Sequence, residues 1–483
     1  MQHNRMPFDT IAKGHYGRKI AYANADEVTV ENIMSIVSKG YSIFNYNRPA
    51  IDYLWRYYKG DQPALYRVKV IRDDIINHVV ENHAYELVNF KTAQSYGEPI
   101  QAVALVDDEK VNEYVDKFND YMRAANKPAR DISCGTWQSA VGVGFKAVQI
   151  TNDDELPFRI VVPTPLNTFM IYSAYTDEPL LAVQELKDQD NKLYKLCYSA
   201  THQYRIQNGQ LIDVRLHAFG GIPIVEYPNN AERLSDIELV ITMLDAINNM
   251  QSNRMDAVEQ FVQSWVKFVN CEVDATSFKQ MKAMGALAVH SEGEKNVDVD
   301  IMSQELKQSE TQVAKDDLWD NVLSISAIPN KQGNGSGDTQ GAVELRNGWD
   351  FSKQRAKMKD PVIVESERKL NKVILNILRI KKGGAECPLG QFDYDVQINH
   401  SPTDNMQVKA EALQMLLSAG IHPLIAIKVV GLFEDADKTY ILSKPYLDNL
   451  YKTIDDVEDA AEQEQKAQEL LVNANLNNIQ TEE

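Results

Sequence analysis

The segment FGGIPIVEYPNNAERLSDIELVITMLDAINNMQSN, Phe219 to Asn253, decides the architecture. A short β-prone end, Ile222 to Tyr227, runs through Pro228, Asn229 and Asn230 into a long predicted helix. Ser235 with Glu238 three residues on is a capping-box pattern, in which each side chain satisfies the other's free backbone N–H. Asn230 offers a second cap one turn earlier. No proline or glycine interrupts the chain from there to Val266, so the helix spans roughly 45–50 Å at 1.5 Å per residue. Its apolar residues (Leu234, Ile237, Val240, Ile241, Leu244, Ile247) give way to a polar waist of Asn248, Asn249, Gln251, Ser252, Asn253 and Arg254. That pattern suits a rod that packs beside copies of itself and turns a hydrophilic face to water.

Downstream of the rod, Trp265 to Ser303 reads as a compact insert. Strand (Val266 to Cys271), short helix (Ser277 to Met284), strand (Ala286 to His290) and strand (Val297 to Met302) follow in turn. A second long helix, Gln304 to Ala327, returns from it, which makes a stalk with a small αβ head. A glycine-rich loop, Asn330 to Thr339, comes next. Gln340 to Ile380 reads as one long helix with kink points at Gly348 and Pro361. Lys381, Lys382, Gly383 and Gly384 end it with positive charge at the dipole and glycine for an αL exit.

Upstream, Thr29 to Lys39, Ala50 to Tyr58, Asp73 to Ser95 and Asp108 to Ala125 read as helices, the second rich in aromatic residues destined for core or subunit interface. From Phe145 to Tyr227 the period changes to alternating β-branched runs, punctuated at Asn152-Asp153-Asp154, Asp190-Asn191 and Asn208-Gly209. The last eighty-odd residues are helical in short turns, Asp404 to Ala419, Pro423 to Val430 and Asp435 to Leu442, with an acidic tail from Ile454 to Leu471. The whole is α+β and mainly helical.

Composition narrows the function. The chain has 50 basic against 69 acidic residues, a net charge of −19. A sequence-independent DNA binder gains affinity by neutralising phosphates, so this surface repels duplex overall. The number taken alone is equally consistent with simple solubility and with a surface that must not grip DNA. The start, MQHNRMPFDTIAKGHYGRK, has no apolar h-region and reads as carrying no secretory signal. No apolar stretch approaches the roughly 18 residues that cross a bilayer, and no membrane contact is expected. Cys134, Cys197, Cys271 and Cys387 are scattered and read as reduced thiols.

The motifs that suggest chemistry fail on their geometry. GNGSGDTQG, Gly333 to Gly341, lacks the Gly-Lys-Ser/Thr ending that places a lysine on the β/γ-phosphates. Gly142-x-Gly144 runs helix-to-strand, the reverse of a dinucleotide fingerprint, and reads as a tight turn. His78 and His83 stand five apart, about 140° around a helix axis, and so do not chelate one zinc from that helix. No catalytic residue, cofactor or metal site is expected.

Taken in order, IPIVEYPNN, the SDIELVITMLDAIN helix, IPN…SGDTQGAVEL and the long helix after it resemble the portal proteins of tailed bacteriophages, of the type found in long-tailed phages of Gram-positive hosts. DDIINHVVENHAYELVNFKTAQSYGEPI and ISCGTWQSAVGVG add to the resemblance, which covers Tyr57 to Asp437. It implies a division into a wing (1–231), stem helix 1 (232–264), a clip (265–303), stem helix 2 (304–328), a tunnel loop (329–340), a wing return with a kinked helix and strand (341–400), and a crown with an acidic tail (401–483). It also implies a ring of roughly twelve subunits at one capsid vertex, made in the host cytoplasm and built into the virion. Double-stranded DNA is packaged and ejected through such a channel. The implied partners are a terminase large subunit as the ATPase motor, a head–tail adaptor, and the major capsid and scaffolding proteins. Twelve copies would carry a formal charge near about −230, a strongly negative lumen. The expected channel residues are Asn330, Lys331, Gln332, Asn334, Ser336, Asp338 and Thr339 in the tunnel loop, with Asn248, Asn249, Ser252 and Asn253 on the stem. The competing classes are another head–tail ring protein, which length and the stalk-with-head order disfavour, and a DNA-processing enzyme.

Overall fold

The computed structural model describes residues 17–69, 74–105, 108–262, 265–269, 298–302, 308–330, 348–384, 387–400, 406–430, 432–433, 436 and 439–446. The chain divides into two units, 1–400 and 401–483. Among the described residues the fold is α+β, as expected.

Two sheets organise the first unit. Five strands, β5 (Thr168–Ser173), β6 (Pro179–Lys187), β7 (Leu193–Tyr198), β8 (His202–Gln207) and β9 (Gln210–Leu216), form an antiparallel meander, and β1 (Ala21–Ala23) adds in parallel beside β5. The β8–β9 hairpin turns on Asn208 and Gly209, both at positive φ, 51° and 73°. This is the mirror-type two-residue turn whose twist matches its strands. The second sheet is β10 (Ile224–Pro228), β3 (Val143–Ile150) and β4 (Phe158–Val161), all antiparallel. A distant pair, β2 (Gln101–Ala104) with β13 (Tyr394–Gln397), joins residues almost three hundred positions apart.

Helix α1 (Ile33–Tyr58) covers the meander, burying Ile33, Ile36, Val37 and Phe44 against Phe169, Ile171, Val183 and Tyr204. Gly40 lets the two approach, since a Cβ there would lie 2.3 Å from Ile171 Cδ1. The two helices expected over Thr29–Tyr58 are thus one. Pro49 sits inside it and removes one backbone hydrogen bond. The helix continues because Phe44 before it and Ile51, Leu54 and Tyr57 after it are all buried.

The remaining helices surround the small sheet. They are α2 (His83–Tyr96), α3 (Glu109–Ala124), α4 (Lys127–Val141), α7 (Trp349–Lys357) and α8 (Asp360–Lys382), and α5 (Ile241–Val262) and α6 (Gln308–Ile325) lie between α4 and α7 in the chain. Gly142, at φ 89°, turns α4 directly into β3. A side chain at Gly142 would strike Arg233 O at 2.0 Å, so the tight-turn reading holds. The expected single helix over Gln340–Ile380 is two helices among its described residues, parted at Met358 and Lys359. Gly348 is the N-cap of α7 and Pro361 lies in the first turn of α8, so both begin helices and kink none. Gly383 closes α8 at φ 92°, ψ 152°, a glycine-only conformation but not the αL exit expected. The second unit contains α9 (Met406–Ser418) and α10 (Pro423–Val430), joined by a turn at Gly420 with φ 79°.

Where α4, β3 and α8 meet, four charges are buried together. Lys127 Nζ lies 2.6 Å from Asp131 Oδ2 and 3.1 Å from Glu367 Oε2. Lys146 Nζ lies 2.5 Å from Glu367 Oε1 and also bonds Asp131. Tyr227 presents its ring face to Lys146 at 4.3 Å. Burial alone would neutralise such groups. Against that burial, Lys127 and Lys146 hold the Glu367 carboxyl well below its usual range, and Asp131 and Glu367 raise Lys146. Two cations and two anions close the account locally.

Glu367→Gln is expected to destabilise the chain by about 3–5 kcal/mol in urea unfolding, because it leaves a buried cation short of a partner. A Lys146→Met/Glu367→Leu double variant should lose less than the sum of the two single changes. Since the folded Glu367 pKa is depressed, its contribution is complete above the unfolded value near 4.5 and falls away as pH drops toward about 2. Glu367→Gln should therefore flatten the acid limb of the stability curve over that window.

Candidate stem and channel site

The approach to the stalk is built from short polar residues. Asn230 Oδ1 accepts the Leu234 N–H at 2.7 Å, and Asn229 Nδ2 donates to Leu234 O at 2.9 Å. The Ser235 N–H donates to Glu238 Oε2 at 2.7 Å, while Ser235 Oγ accepts the Ile237 N–H at 3.0 Å. The capping contacts form, yet α5 itself spans Ile241–Val262, about 33 Å at 1.5 Å per residue, shorter than expected. Glu238 is shared with Arg18 and the Gly17 N–H, and Ser235 Oγ also donates to Ala140 O at 2.8 Å. Those tertiary claims hold residues 235–240 as a turn.

The polar waist has a different use from the one expected. Asn248, Ser252 and Asp256 lie four residues apart on one face of α5, and all three are buried. An extended segment, Asn77 to Glu81, runs along that face. Asn248 Oδ1 accepts the Glu81 N–H at 2.8 Å, and Ser252 Oγ accepts the Val79 N–H at 3.0 Å and donates to Val79 O at 3.2 Å. Asp256 Oδ1 accepts the Asn77 N–H at 2.6 Å. Asn248 Nδ2 donates to Gln62 Oε1 at 2.6 Å. The side chains thus replace the neighbouring strand that an extended backbone otherwise requires. Lys69 and Arg67 lie 2.5 Å and 3.0 Å from Asp256 Oδ2, and with Asn77 they outweigh burial and keep its carboxyl low. This ladder is also why α2 starts at His83 and not at Asp73.

Two of the four expected stem residues are therefore corrected. Asn248 and Ser252, both 0% exposed, face inward to the Asn77–Glu81 segment. Asn249 and Asn253 are exposed on the other side of α5, with Asn253 Oδ1 accepting from Arg67. Asp256, Gln62, Arg67 and Lys69 were missed. The signal was present in the four-residue spacing of Asn248, Ser252 and Asp256.

The second stalk helix, α6 (Gln308–Ile325), returns antiparallel to α5. Arg254 Nη1 donates to Gln312 Oε1 at 2.8 Å, and Val322 is buried with Ile241, Leu244 and Ile247. Lys315 reaches Glu81 at 2.5 Å, and His83 stacks on Trp319 with centroids 3.9 Å apart. His78 instead contacts Ala64 O at 3.1 Å, so the two histidines serve separate places. Between the stalk helices, β11 (Trp265–Val269) pairs antiparallel with β12 (Asp298–Met302), Trp265 opposite Met302. The expected helix Ser277–Met284 and strand Ala286–His290 lie outside the described residues.

At its far end α6 closes through Ala327 at φ 51°, with the Ile328 N–H donating to Leu323 O at 2.9 Å. That is a glycine-type exit without the glycine that would announce it. Asn330 Nδ2 then donates to Asp320 Oδ1 at 3.0 Å, which sets the root of the glycine-rich loop on α6. Lys331, Gln332, Asn334, Ser336, Asp338 and Thr339 lie outside the described residues, as does the acidic tail Ile454 to Leu471. Among the described residues no group of three His, Cys, Asp or Glu could hold a metal ion, and no helix is long and apolar enough to cross a membrane.

Replacing Asn248 by Leu or Ser252 by Val should each cost about 1–3 kcal/mol in denaturant unfolding, because each strands a backbone group of the 77–81 segment. Asn249→Ala and Asn253→Ala should stay within about 0.5 kcal/mol.

Comparison with known proteins agrees with this geometry. The family profile described as "Phage portal protein, SPP1 Gp6-like" matches residues 40–470. No curated protein sequence matches the chain. Among solved structures, the neck of an empty gene transfer agent (GTA) particle computed with C6 symmetry is 9% identical, covering 79% of this chain and 93% of that chain at a TM-score of 0.48. The virion of a native GTA particle is 10% identical over 79% and 93%, TM-score 0.45. The neck of the native particle computed with C12 symmetry is 10% identical over 72% and 89%, TM-score 0.45. Likenesses that distant carry no weight of their own, but the profile runs from inside α1 past the stalk and α8, and the chain belongs to the SPP1 Gp6-like family of phage portal proteins.

Proposed function

We propose that this chain is the repeating subunit of a closed ring of about twelve copies, set at one capsid vertex of a long-tailed phage of a Gram-positive host. Double-stranded DNA enters and leaves through its lumen. The observation that carries this reading is the stalk. α5 and α6 run antiparallel with the β11–β12 pair between them in the chain, and Met255 on α5 and Val313 and Ile325 on α6 are exposed to solvent in the single chain. Apolar side chains on a rod want a neighbour, and head-to-tail repetition around an axis supplies one identically to every subunit.

In this reading α5 and α6 are the stem, residues 265–303 the clip that meets the terminase large subunit and later the head–tail adaptor, and 401–483 the crown. Major capsid and scaffolding proteins would meet the wing. Asn249 and Asn253 are the stem residues open to a channel. Lys331, Gln332, Asn334, Ser336, Asp338 and Thr339 form the tunnel loop rooted at Asn330. The lumen is net negative and polar, so duplex slides without being held. The subunit is structural and not an enzyme, and the force for translocation comes from the separate ATPase.

Native mass measurement of the purified chain should show a single closed ring near twelve subunits, and electron-microscope views down the axis should show the same number of repeats. Monomers or two-fold dimers alone at micromolar concentration would refute the ring. Paired cysteines at Asn334 and Ser336 should crosslink neighbouring subunits and block DNA passage with ring assembly intact. If they neither crosslink nor impede packaging, the narrowest point lies elsewhere, most plainly at the α7 start near Gly348.

A further inference from the structure

A cavity of about 360 Å³ lies where the loop before α5, the end of α6 and the α7–α8 junction meet α2. Its wall carries three cations, Lys91, Arg355 and Lys359, against one carboxylate, Asp236. That carboxylate is already engaged, Oδ2 by Ser139 Oγ at 2.7 Å and Oδ1 by Asn229 Nδ2 at 3.2 Å. Asp360, next to Lys359 in the chain, has Oδ2 2.8 Å from His400 Nε2. In a chain of net charge −19, this is a local excess of positive charge with little to balance it.

Two further wall residues are short of partners. Ser326 is 5% exposed and Asn229 7% exposed. Ser326 Oγ and Asn229 Oδ1 are both buried with no hydrogen-bond partner in the chain. Buried polar atoms are nearly always satisfied, and a hydroxyl donor beside lysine and arginine is the inventory that holds an oxyanion. Asn229 Oδ1 can accept from a protonated oxygen of the same group. Burial also presses Lys91 and Lys359 toward lower pKa, Asp236 opposing it in both cases and the neighbouring Lys359 and Arg355 adding to it at Lys91. The repulsion that Lys359 and Arg355 exert on Lys91 is what an anion would relieve.

We propose that this cavity is a binding site for an oxyanion of the phosphate class, held by Lys91, Lys359 and Arg355 with Ser326 Oγ as the neutral donor. The occupant is either a free phosphate or pyrophosphate or a backbone phosphate of nucleic acid. Its place gives it a consequence: Ser326 stands four residues before Asn330, and Arg355 and Lys359 follow the glycine-rich loop in the chain. An anion seated there ties together the two segments that flank that loop.

The test is thermal unfolding of the full chain with sodium pyrophosphate, with a short DNA duplex, and with sodium chloride at matched ionic strength. A saturable rise in melting temperature with pyrophosphate is expected. Lys91→Met/Lys359→Met should weaken its half-saturation by about tenfold or more, while Lys91→Arg/Lys359→Arg retains it. In chloride alone the Met variant should melt at or above the parent, because it removes repulsion, whereas a merely structural role predicts a lower melting point. Should the Met variant fail to fold in chloride, that structural role is established and the proposal falls; Ser326→Ala, which leaves the charges in place, gives an independent reading of the same half-saturation. A rise with duplex but not with pyrophosphate, lost in the Met variant, assigns the phosphate to nucleic acid. No saturable rise with either probe, or an equal rise in the Met variant, overturns the site.

Discussion

The quartet of Lys127, Asp131, Lys146 and Glu367 is the interaction on which the rest of the fold depends. Asp131 and Lys146 precede the stalk in sequence, and Glu367 follows it by a long interval. After β10 the chain runs through α5, the β11–β12 pair and α6, and later returns as α8 to place Glu367 against charges laid down about two hundred residues earlier. The β2–β13 pair closes the same gap at a second point. A buried charge tolerates little positional error, because an unpaired one costs several kcal/mol. The quartet therefore specifies where α8 must dock, and the apolar faces of Leu370, Val373, Ile374 and Ile377 supply the area that holds it there.

With the body sealed in this way, the stalk is an excursion whose length is weakly constrained, since closing a longer loop adds little entropy cost. Its direction is constrained strongly. The Asn248–Ser252–Asp256 ladder takes up the backbone of residues 77–81, and Lys315 and Trp319 of α6 grip Glu81 and His83 at the edge of the same segment. The root of α5 is thus braced from both sides by polar groups that satisfy one another. Only the faces carrying Asn249, Asn253 and the scattered exposed apolar residues remain open in the single chain. One helix is thus divided between an internal polar seam, which fixes it rigidly, and an outward polar stripe.

Electrostatics follow the same division. The net negative charge is a property of the surface, whereas the buried cations are each accounted for by name: Lys146 and Lys127 by the quartet, Arg18 by Glu238, Arg233 by Glu226. The cavity beneath the loop root departs from this pattern, with Lys91 and Lys359 set against a single engaged carboxylate. A net negative surface and one internal cluster of cations are compatible within one subunit, because the first is a long-range field and the second a short-range set of groups.

Local rules were enough to read the β meander, the Asn208-Gly209 hairpin, the Gly142 turn and the capping contacts of Ser235 and Glu238, because each rests on residues near one another in the chain. The ordered segments that carry the family resemblance were legible in the same way. Tertiary structure decided the rest. Pro49 does not break α1, because burial on both sides outweighs one missing hydrogen bond. Residues 77–81 are not helical despite a helical pattern, because α5 offers their backbone better partners than a helix's first turn would. Asn248 and Ser252 share residue types and spacing with Asn249 and Asn253; Asp256, four further on, marks the buried row, but only the packing of a segment about 170 residues away shows what that row meets. The quartet is equally silent in sequence, since any of the 69 acids and 50 bases could have met there. Local propensity is encoded by neighbours in the chain, whereas the choice among equivalent polar groups is made by whatever backbone or charge folding brings against them.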